Sequence, residues 1–388
     1  MSTEAEIPQL SSAPASKLAS GGAVNVDAGE LVELSVRGLL PMFDSSSRQF
    51  CFRMVQTPAG LRREGLSHRY TVITLLGLCE LERAGTPSPF PISSILEQLL
   101  EDKKWPVGAG DFGLLLWLTS IRAPEKLPAL LSRFNLRNAL DAYADVRAGL
   151  TMELAWLLTG LSRAILSARP ELPGLADLAR STYSALVKNQ GRGFFGHVST
   201  SKTIAGRLRG WMGSFADQVY PILAMTRYSQ AFESREALSR ALECGRAICR
   251  VQGPLGQWWW HYDSRAGKVA SMYPVFSVHQ DGMAPMALFP LGEVSGTDFR
   301  EHIYRGLRWI GGANELGRDI RDLSAKMIWR RVHPAPEYTM KLDVLASHLG
   351  VYRNASGRKM EILHECRPYH FGWLLYAFAT RAAEERNR

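Results

Sequence analysis

Aromatic, imidazole and carboxylate side chains are most concentrated between residues 258 and 281. Aromatic rings stack on the C–H faces of sugars or shield cations, while His, Tyr and carboxyl groups move protons. We therefore predict a site with both catalytic and substrate-binding groups in this stretch. The catalytic candidates are Tyr273, His279 and Asp281, and the substrate-binding candidates are Trp259, Trp260 and His261. The alternative is that some of these rings belong to the core and that Asp281 only caps a helix.

A second polar group precedes the last apolar segment of the chain. Its members are Glu361, His364, Glu365, Cys366, Arg367, Tyr369 and His370. We predict that Arg367 and His370 bind substrate; the alternative is a purely structural turn. His364, Cys366 and His370 have side chains that ligate zinc, but a fourth ligand and the spacing typical of zinc motifs are missing. We therefore predict no metal, and also no cofactor, because nucleotide-binding loops are absent.

Two further candidates lie outside these groups. Arg318 stands next to Gly317, and we predict that it binds an anionic group of the substrate, although this segment could simply end a helix. Asp217 stands at the start of an apolar segment, as Asp281 does, and we predict a catalytic role for it. Hydrolysis of a glycosidic bond requires two carboxyl groups, for which Asp217 and Asp281 are the candidates.

Apolar segments and amphipathic segments alternate along the chain, and each has the pattern of a helix. The predicted apolar helices are Tyr70–Leu81, Phe112–Leu118, Leu154–Leu166, Gln218–Tyr228, Gly282–Leu288 and Phe371–Ala382. The predicted amphipathic helices are Ala28–Phe43, Ile92–Lys103, Glu125–Tyr143, Leu172–Lys188, Ser234–Val251 and Asp298–Ile310. Apolar helices belong inside and amphipathic helices outside. The pattern predicts an all-α fold, an (α/α)6 toroid of six helical hairpins.

This toroid is predicted to occupy residues 28–388 as a single domain, after a disordered tail of residues 1–27 that has few large apolar groups to bury. Each apolar helix begins near a polar or ionisable residue: His68, Asp111, Glu153, Asp217, Asp281 and His370. If the inner helices all run in one direction, these groups meet at one mouth of the central funnel. The helix N-termini, with Arg69 and Arg367 beside them, would favour an anion at that mouth. The alternative is that each residue caps only its own helix.

The segment Gln252-Gly-Pro-Leu-Gly256-Gln-Trp258 resembles the Gln-x3-Gly-x-Trp repeat motif of squalene–hopene cyclases and related prenyltransferase-type toroids. The segment from Gln190 to Phe195 is a looser copy. The resemblance implies that the glutamine caps a helix end, that the glycine permits a tight turn and that the aromatic ring stacks on the next repeat. The expected fold is also similar to that of six-hairpin glycosidases, sugar 2-epimerases, uronate epimerases and several polysaccharide lyases.

The resemblance does not extend to the catalytic motifs of the cyclases. Their protonating Asp-x-Asp-Asp motif and the Asp-Asp-x2-Asp motif of terpene synthases are both absent, and the chain has no Asp-Asp pair. Asp319 and Asp322 form a weaker candidate for a diphosphate–magnesium site, on a segment that we predict to be a solvated helix. The chain therefore departs from these families at the residues that carry their activity.

Composition limits the possible partners. The 388 residues carry 46 Lys and Arg against 37 Asp and Glu, a net charge of +9, which favours anionic ligands. Basic residues form no long run and no nucleic-acid motif, so we predict no nucleic-acid partner. No apolar run is long enough for a transmembrane segment. Five scattered cysteines without a signal sequence predict a cytoplasmic protein, while its oligomeric state stays open.

The leading hypothesis is a carbohydrate-active enzyme, an epimerase, lyase or hydrolase, that acts on an anionic sugar or polysaccharide intermediate. An epimerase or lyase would use Tyr273 or His279 as base and Arg318 or Arg367 to neutralise a substrate carboxylate. One alternative is a terpenoid cyclase or prenyl-binding toroid without the usual aspartate motifs. The other is a toroid that binds a partner and catalyses nothing.

Overall fold

The computed structural model describes residues 26–133, 150–167, 172–198, 210–348, 351 and 357–386. Helices predominate in this part of the chain. In chain order they are α1 Ala28–Leu39, α2 His68–Arg83, α3 Ile92–Glu101, α4 Ala109–Arg122, α5 Leu127–Arg133, α6 Thr151–Ser167, α7 Leu175–Val187, α8 Ala216–Phe232, α9 Arg235–Arg250, α10 Ala284–Ser295, α11 Arg300–Ile310, α12 Tyr338–His348 and α13 Pro368–Arg386.

Short strands lie in the connections between the helices. They are β1 Phe43–Asp44, β2 Gln49–Thr57, β3 Gly60–Leu66, β4 Met212–Ser214, β5 His261–Asp263, β6 Lys268–Ser271, β7 Val275–Phe276, β8 Arg321–Asp322, β9 Met327–Ile328, β10 Arg331–Pro334, β11 Met360–Leu363 and β12 Glu365–Cys366. They pair in the orders β1-β2-β12 with β3 on β2, β11-β10-β7, β4-β5-β6 and β8-β9.

All the predicted apolar helices are present, as α2, α4, α6, α8, α10 and α13. Each contacts the next in this order, and α13 returns to contact α2, so the apolar helices form a closed ring. Their side chains are buried on nearly every face, as expected for helices that are apolar all round. The core of the protein is therefore the interior of this ring and its contact with the surrounding helices.

The amphipathic helices pack on the outside of the ring. In α9 the buried positions Ala237, Ala241, Cys244 and Ile248 recur every three or four residues and form one apolar face. The predictions at Ile92, Leu172, Ser234, Asp298 and Ala28 are confirmed as helices with shifted ends. The predicted helix Glu125–Tyr143 begins with a 3-10 turn and α5, and its remainder lies outside the described residues.

Glycines allow the inner helices to approach one another closely. A Cβ atom on Gly160 of α6 would lie 2.2 Å from the carbonyl oxygen of Gly113 on α4, and one on Gly77 of α2 would lie 2.1 Å from that of Gly372 on α13. Both distances are far below van der Waals contact, so a larger residue would push the helix backbones apart. The small residues of the apolar helices thus set the spacing of the ring.

The prediction of an all-α fold is wrong in one respect, because it omits the strands. The β2–β3 hairpin turns at Gly60, whose φ of 107° is in the region that favours glycine. Strand β12 pairs with β2, and Glu365 lies opposite Val55. This pairing brings the loop before α13 against the hairpin, which no local pattern in the sequence indicates.

Two other details differ from the sequence-based expectations. Asp319 and Asp322 are not on a helix: Asp319 forms an ion pair with Arg321 at 2.7 Å, and Asp322 lies in β8 and accepts a hydrogen bond from the amide of Ala325. Helix α12 was not predicted at all.

The predicted tail of residues 1–27 lies outside the described residues except for its last two positions. Among the described helices, none is both long and apolar enough to cross a membrane.

Replacing Gly160 with Ala should destabilise the protein by about 1–3 kcal/mol, because the added methyl group overlaps the backbone of α4. Urea unfolding followed by circular dichroism measures this loss. Ser162→Ala is the matched control in the same helix: the buried Ser162 hydroxyl has no hydrogen-bond partner, so its removal should not destabilise. Equal stability of Gly160→Ala and the wild type would contradict the proposed role of this glycine.

Candidate active site

Polar groups from the first turns of the inner helices meet at one end of the ring, which we call the mouth. Arg69 of α2 forms an ion pair with Asp111 of α4, and His370 of α13 contacts Asp281, which immediately precedes α10. These contacts connect consecutive inner helices at their N-terminal ends. The inner helices therefore present their positive dipole ends to the same side of the ring.

Arg69 is held between two carboxylates. Its Nε donates to Asp111 Oδ1 at 2.6 Å, and its Nη2 lies 3.8 Å from Glu153 Oε1. The guanidinium group also stands 5.2 Å from the ring centre of Trp156, within range of a cation–π contact. The Glu153 side chain is 17% exposed and that of Asp111 is 9% exposed. Glu153 is thus the more accessible of the two carboxyl groups.

His370 and Asp281 form a buried pair. His370 Nε2 lies 2.7 Å from Asp281 Oδ1, and the second oxygen of Asp281 is buried without a hydrogen-bond partner. Burial raises the pKa of Asp281, although the neighbouring His370 favours the ionised carboxylate. A carboxylate bonded to one ring nitrogen fixes the orientation of a histidine and leaves Nδ1 as the nitrogen that can exchange a proton with a ligand.

The carboxylate of this pair is carried by a π-helical turn, His279–Met283, that precedes α10. Such turns add a residue to a helix and redirect its side chains. Gln280 of the same turn accepts from the Trp258 amide at 3.1 Å and donates to the Phe276 carbonyl at 3.1 Å, which ties the turn to the preceding loop. The bonds of Gln280 therefore help to hold Asp281 against His370.

His279 is buried between aromatic rings. Its ring centre lies 4.6 Å from that of Phe215 and 5.0 Å from that of Phe276. Burial, with a smaller contribution from the charge of Arg330, lowers its pKa to about 3. At neutral pH His279 is therefore an uncharged imidazole that lines the core next to the site.

A second histidine–aspartate pair joins the start of α8 to the loop after α7. His197 Nδ1 lies 3.1 Å from Asp217 Oδ2, and the same oxygen accepts from the amide and the hydroxyl of Ser214, each at 2.9 Å. The Asp217 side chain is 2% exposed, whereas that of His197 is 42% exposed. The carboxylate is thus held below the surface and the imidazole is accessible to solvent.

Three arginines surround one carboxylate beside α13. Glu365 lies 2.6 Å from Arg367, 2.9 Å from Arg53 and 3.4 Å from Arg330. Burial opposes ionisation of Glu365, but the hydrogen bond and charge of Arg367 and the charge of Arg330 lower its pKa. Arg53 also pairs with Glu64 at 2.7 Å, so the three positive charges face two carboxylates, those of Glu365 and Glu64. This group, Arg53, Arg330, Arg367 and Glu365, is called the arginine cluster below.

Two tyrosines connect the arginine cluster to α2. Arg367 Nη1 donates to the hydroxyl of Tyr70 at 2.8 Å, and the rings of Tyr70 and Tyr369 lie 4.7 Å apart. Burial and the neighbouring Tyr369 raise the pKa of the Tyr70 phenol. The His370 amide donates to the Arg367 carbonyl at 3.0 Å, so the cluster adjoins the first turn of α13 as well as α2.

Aromatic rings fill the axis of the ring beneath these polar groups. The rings of Trp156, Tyr220, Trp373, Trp117 and Tyr376 follow one another with centres 5.0 to 5.9 Å apart. Trp373 Nε1 donates to the hydroxyl of Tyr220 at 2.9 Å. Burial raises the pKa of Tyr220 well above its usual value, so the phenol stays protonated. We call these five rings the axial column.

The structure brings together only some of the predicted site residues. Asp217, Asp281, Arg367 and His370 take part in the contacts at the mouth described above. Trp260 stacks on His261 with ring centres 4.0 Å apart, and His261 pairs through β5 with Ser214 of β4, the residue that bonds to Asp217. A role for Trp260 and His261 in binding therefore stays a prediction that the geometry permits.

Tyr273, Trp259 and Arg318 belong to other parts of the structure. The Tyr273 hydroxyl donates to Glu315 at 2.8 Å, and burial with the adjacent Glu315 charge raises its pKa, which is the wrong direction for a base. Trp259 packs edge-on against Tyr273 and donates to the Val251 carbonyl at 2.8 Å. Arg318 lines a separate surface cleft with His364.

The sequence analysis named Arg69, Asp111 and Glu153 only as groups that meet at the mouth, and it did not select Trp156, Tyr220 and Arg330. A signal for some of them is present in the chain. An aromatic residue follows the polar residue three positions later in Glu153–Trp156, Asp217–Tyr220 and His370–Trp373. Residues three apart lie on one face of a helix, so the aromatic side chain points the same way, one turn deeper in the ring.

The segment that resembles the cyclase motif has a structural role. Gln252 Nε2 donates to the carbonyls of Gly256 and His302, each at 2.9 Å. Gly256 has a φ of 96°, and a Cβ atom there would lie 2.3 Å from the carbonyl oxygen of Arg305. Trp258 is fully buried and stacks on Phe215. The glutamine and glycine thus join the loop after α9 to α11, and the tryptophan joins it to Phe215 at the start of α8.

No metal site is formed by the residues that raised the possibility of zinc. His370 contacts Asp281, the exposed His364 packs edge-on against Trp329, and the buried Cys366 lies in β12. In the described part of the chain, no three His, Cys, Asp or Glu residues are arranged to hold a metal ion.

Comparison with solved structures shows that the chain shares the fold of α/α toroids. The chain superimposes on an unsaturated glucuronyl hydrolase specific for heparin with a TM-score of 0.56 and 14% identity, over 93% of this chain and 98% of that one. It superimposes on a possible member of the GH105 family from Klebsiella pneumoniae with a TM-score of 0.58 and 10% identity, over 96% of each chain. A sugar epimerase from a ruminal bacterium gives a TM-score of 0.60 and 11% identity, over 91% and 98%.

Sequence comparison adds no closer relationship, since neither a protein-family model nor a curated protein matches the chain. At these identities the superpositions define the fold alone. The resemblance to α/α toroids inferred from the sequence is confirmed, and the function has to be argued from the residues at the mouth.

Acid should destabilise the protein partly through His279. The unfolded chain binds a proton at this residue below a pKa of 6.5, whereas the folded protein does so only near 3. The neutral imidazole therefore contributes stability above pH 6.5 that is lost, at about 1.4 kcal/mol per pH unit, as the pH falls towards 3.

The variant His279→Gln tests this assignment. Its free energy of unfolding, measured by urea titration at intervals between pH 7 and pH 4, should fall less steeply with decreasing pH than that of the wild type. The slope is the quantity compared, so any loss of stability from the substitution itself cancels. Parallel curves for the two proteins would contradict a buried neutral His279.

Proposed function

We propose that the protein is a carbohydrate-active enzyme that binds an anionic sugar at the mouth and transfers a proton at the carbon next to the acid group of that sugar. The arginine cluster is the observation that carries this proposal. Three guanidinium groups there face two carboxylates, those of Glu365 and Glu64, which leaves about one positive charge. The His370 amide donates to the Arg367 carbonyl at 3.0 Å, so the cluster adjoins His370. A sugar carboxylate bound by Arg330 and Arg367 would lie beside this imidazole.

The proposed proton transfer uses His370 as base. Asp281 fixes the imidazole through Nε2, so Nδ1 would accept the proton from the carbon next to the carboxylate. The guanidinium groups would stabilise the negative charge that develops on the carboxylate oxygens. An epimerase must return a proton from the opposite face, and His197, oriented by Asp217, is the candidate for that step. A lyase would instead expel the neighbouring oxygen substituent.

Hydrolysis is the second candidate reaction. The carboxyl groups of Asp111 and Glu153 both contact Arg69 at the mouth, and hydrolysis of glycosides uses two carboxyl groups. Here Glu153, as the more exposed group, would serve as the general acid, and Asp111, held by Arg69, would be the second carboxyl group. Solved structures with this fold include both a sugar epimerase and unsaturated glucuronyl hydrolases, so each reaction is compatible with the architecture.

The closed ring of apolar helices supports a complete (α/α)6 toroid of six helical hairpins that occupies residues 28–388 as one domain, with residues 1–27 as a tail. A cytoplasmic location is proposed on a separate ground. All five cysteines are buried and unpaired, which is typical of proteins kept in a reducing compartment. Both statements extend the sequence-based expectations.

A substrate panel in D2O, followed by proton NMR, distinguishes the reactions. Uronic acids, their oligomers and unsaturated uronides are incubated with the full chain. Loss of the proton next to the carboxylate without cleavage would support an epimerase. Appearance of an unsaturated product would support a lyase, and consumption of an unsaturated uronide with release of a reducing end would support hydrolysis by Asp111 and Glu153. No change in any member of the panel would contradict the proposal.

Substitution of His370 should affect the chemical step. His370→Gln should lower kcat about 100- to 10,000-fold with a small change in KM, because the proton-transfer group is lost while the arginine cluster remains. His364→Gln is the control, since this exposed histidine lies in the separate cleft. Retention of kcat in His370→Gln, together with its loss in Glu153→Gln, would reverse the order of the two candidate reactions.

Substitution in the arginine cluster should affect substrate binding. Arg367→Gln should raise KM for an anionic sugar about 10- to 100-fold, the equivalent of one charge-assisted hydrogen bond. Arg300→Gln on the outer helix α11 removes the same charge from the surface and should leave KM unchanged. Equal effects of the two substitutions would indicate a general influence of net charge instead of a binding contact.

A further inference from the structure

A second set of arginines lies at the opposite end of the ring, where the inner helices end. A cavity of about 490 Å³ opens there between α2, α6, α8, α10 and α13. The residues that matter for its chemistry are Arg83, Arg163, Arg227, Arg381 and Tyr376. The axial column separates this cavity from the mouth, so the residues at the mouth do not line it.

Two of the four arginines are neutralised by carboxylates of the protein. Arg83 forms an ion pair with Glu80, and Arg381 forms one with Glu293. Arg163 and Arg227 contact no carboxylate in the described structure: Arg227 Nη1 donates to the amide oxygen of Gln230 at 2.9 Å, and Arg163 Nη2 lies 3.4 Å from the Tyr376 hydroxyl. Glu384 also lines the cavity, so its four arginines exceed its three carboxylates, Glu80, Glu293 and Glu384, by one charge.

The Nε atoms of Arg163 and Arg227 are both buried without a hydrogen-bond partner. A buried donor with no partner is costly, and native proteins rarely leave two of them at one place. Arginine near the C-terminal end of a helix is favoured by the helix dipole, which accounts for the presence of positive charge here. The dipole does not account for unpaired donors on two neighbouring arginines that line one cavity.

Tyr376 lies between these arginines and the axial column. Its side chain belongs to a residue that is only 8% exposed. Burial alone would raise the pKa of its phenol, yet the charges of Arg227 and Arg163 outweigh burial and lower it. The two guanidinium groups thus produce a strong positive potential at the inner end of the cavity, as an anion site requires.

We propose that this cavity is a second ligand site that binds a phosphate group. The guanidinium groups of Arg163 and Arg227 supply the donors, with the Tyr376 hydroxyl as a third. A phosphate has several acceptor oxygens and two charges, which match two guanidinium groups better than a single carboxylate does. The volume accommodates a phosphate together with a small organic group. This site is independent of the function proposed for the mouth.

Calorimetric titration of the full chain with inorganic phosphate, at constant ionic strength set by chloride, tests the proposal. The Arg367→Gln variant is titrated in parallel, because it weakens any binding of phosphate at the mouth. We expect saturable binding in both proteins that is at least about 10-fold weaker in Arg227→Gln and in Arg163→Gln. Tyr376→Phe should retain most of the affinity, because it removes one donor and no charge.

Arg122→Gln is the matched control for the helix dipole. Arg122 ends α4 at the same side of the ring, pairs with Glu82 and does not line the cavity. Full phosphate affinity in Arg122→Gln together with loss in Arg227→Gln supports the site. The proposal is overturned if phosphate binds no better than chloride, or if Arg227→Gln, folded by circular dichroism, binds it as tightly as the wild type.

Discussion

The direction of the inner helices is the constraint on which the rest of the structure depends. Each inner helix returns to the same side of the ring through an outer helix, and the backbones of neighbouring inner helices touch at glycines such as Gly113 and Gly160. Neighbouring inner helices must therefore run parallel to one another and lie close together. Residues separated by a whole repeat, or by the length of the chain, consequently become neighbours at one end of the ring.

This constraint divides the charged residues into two sets. The starts of the inner helices carry the acidic and imidazole groups Asp111, Glu153, Asp217, Asp281 and His370. Arg83 and Arg122 lie in the last turns of α2 and α4, and Arg163 and Arg227 lie in the C-terminal halves of α6 and α8. The helix dipole favours negative charge at the N-terminal end of a helix and positive charge at the C-terminal end. The carboxylates and the arginines both follow this preference, and His370 is the exception. Apart from Arg69 of α2, the cations described at the mouth come from the loops and strands around it, as in the case of Arg53 and Arg330. The two ends of the ring therefore differ in which element provides positive charge.

The helices were predictable because their signals are local. The apolar stretch around Leu154–Leu166 and the apolar face of α9 are each visible within one helix, and neither depends on the rest of the chain. The strands were not predictable in the same way: β12 has two residues, and its partner β2 lies more than 300 positions earlier. A strand of two residues has no periodicity that a sequence pattern could reveal. Strand β12 forms only because the closure of the ring brings it next to β2.

The same distinction applies to the candidate site. The position of Asp281 at a helix start was evident in the sequence, but its contact with His370, 89 residues away, requires the closed ring. The prediction of Tyr273 as a base relied on its closeness to His279 in the sequence. Residues that are close in sequence need not share the same surroundings in the fold. Tyr273 instead bonds to Glu315, whereas His279 packs between Phe215 and Phe276, so the two side chains belong to different networks.

The axial column has a consequence for the shape of any substrate. The five rings of the axial column are buried and contact one another in tilted and edge-to-face arrangements, so they separate the mouth from the opposite end of the ring. Under the proposed function, a sugar polymer would therefore not thread through the molecule. A monosaccharide, or the terminal unit of a longer chain entering end-on, would reach His370, which corresponds to action in an exo manner.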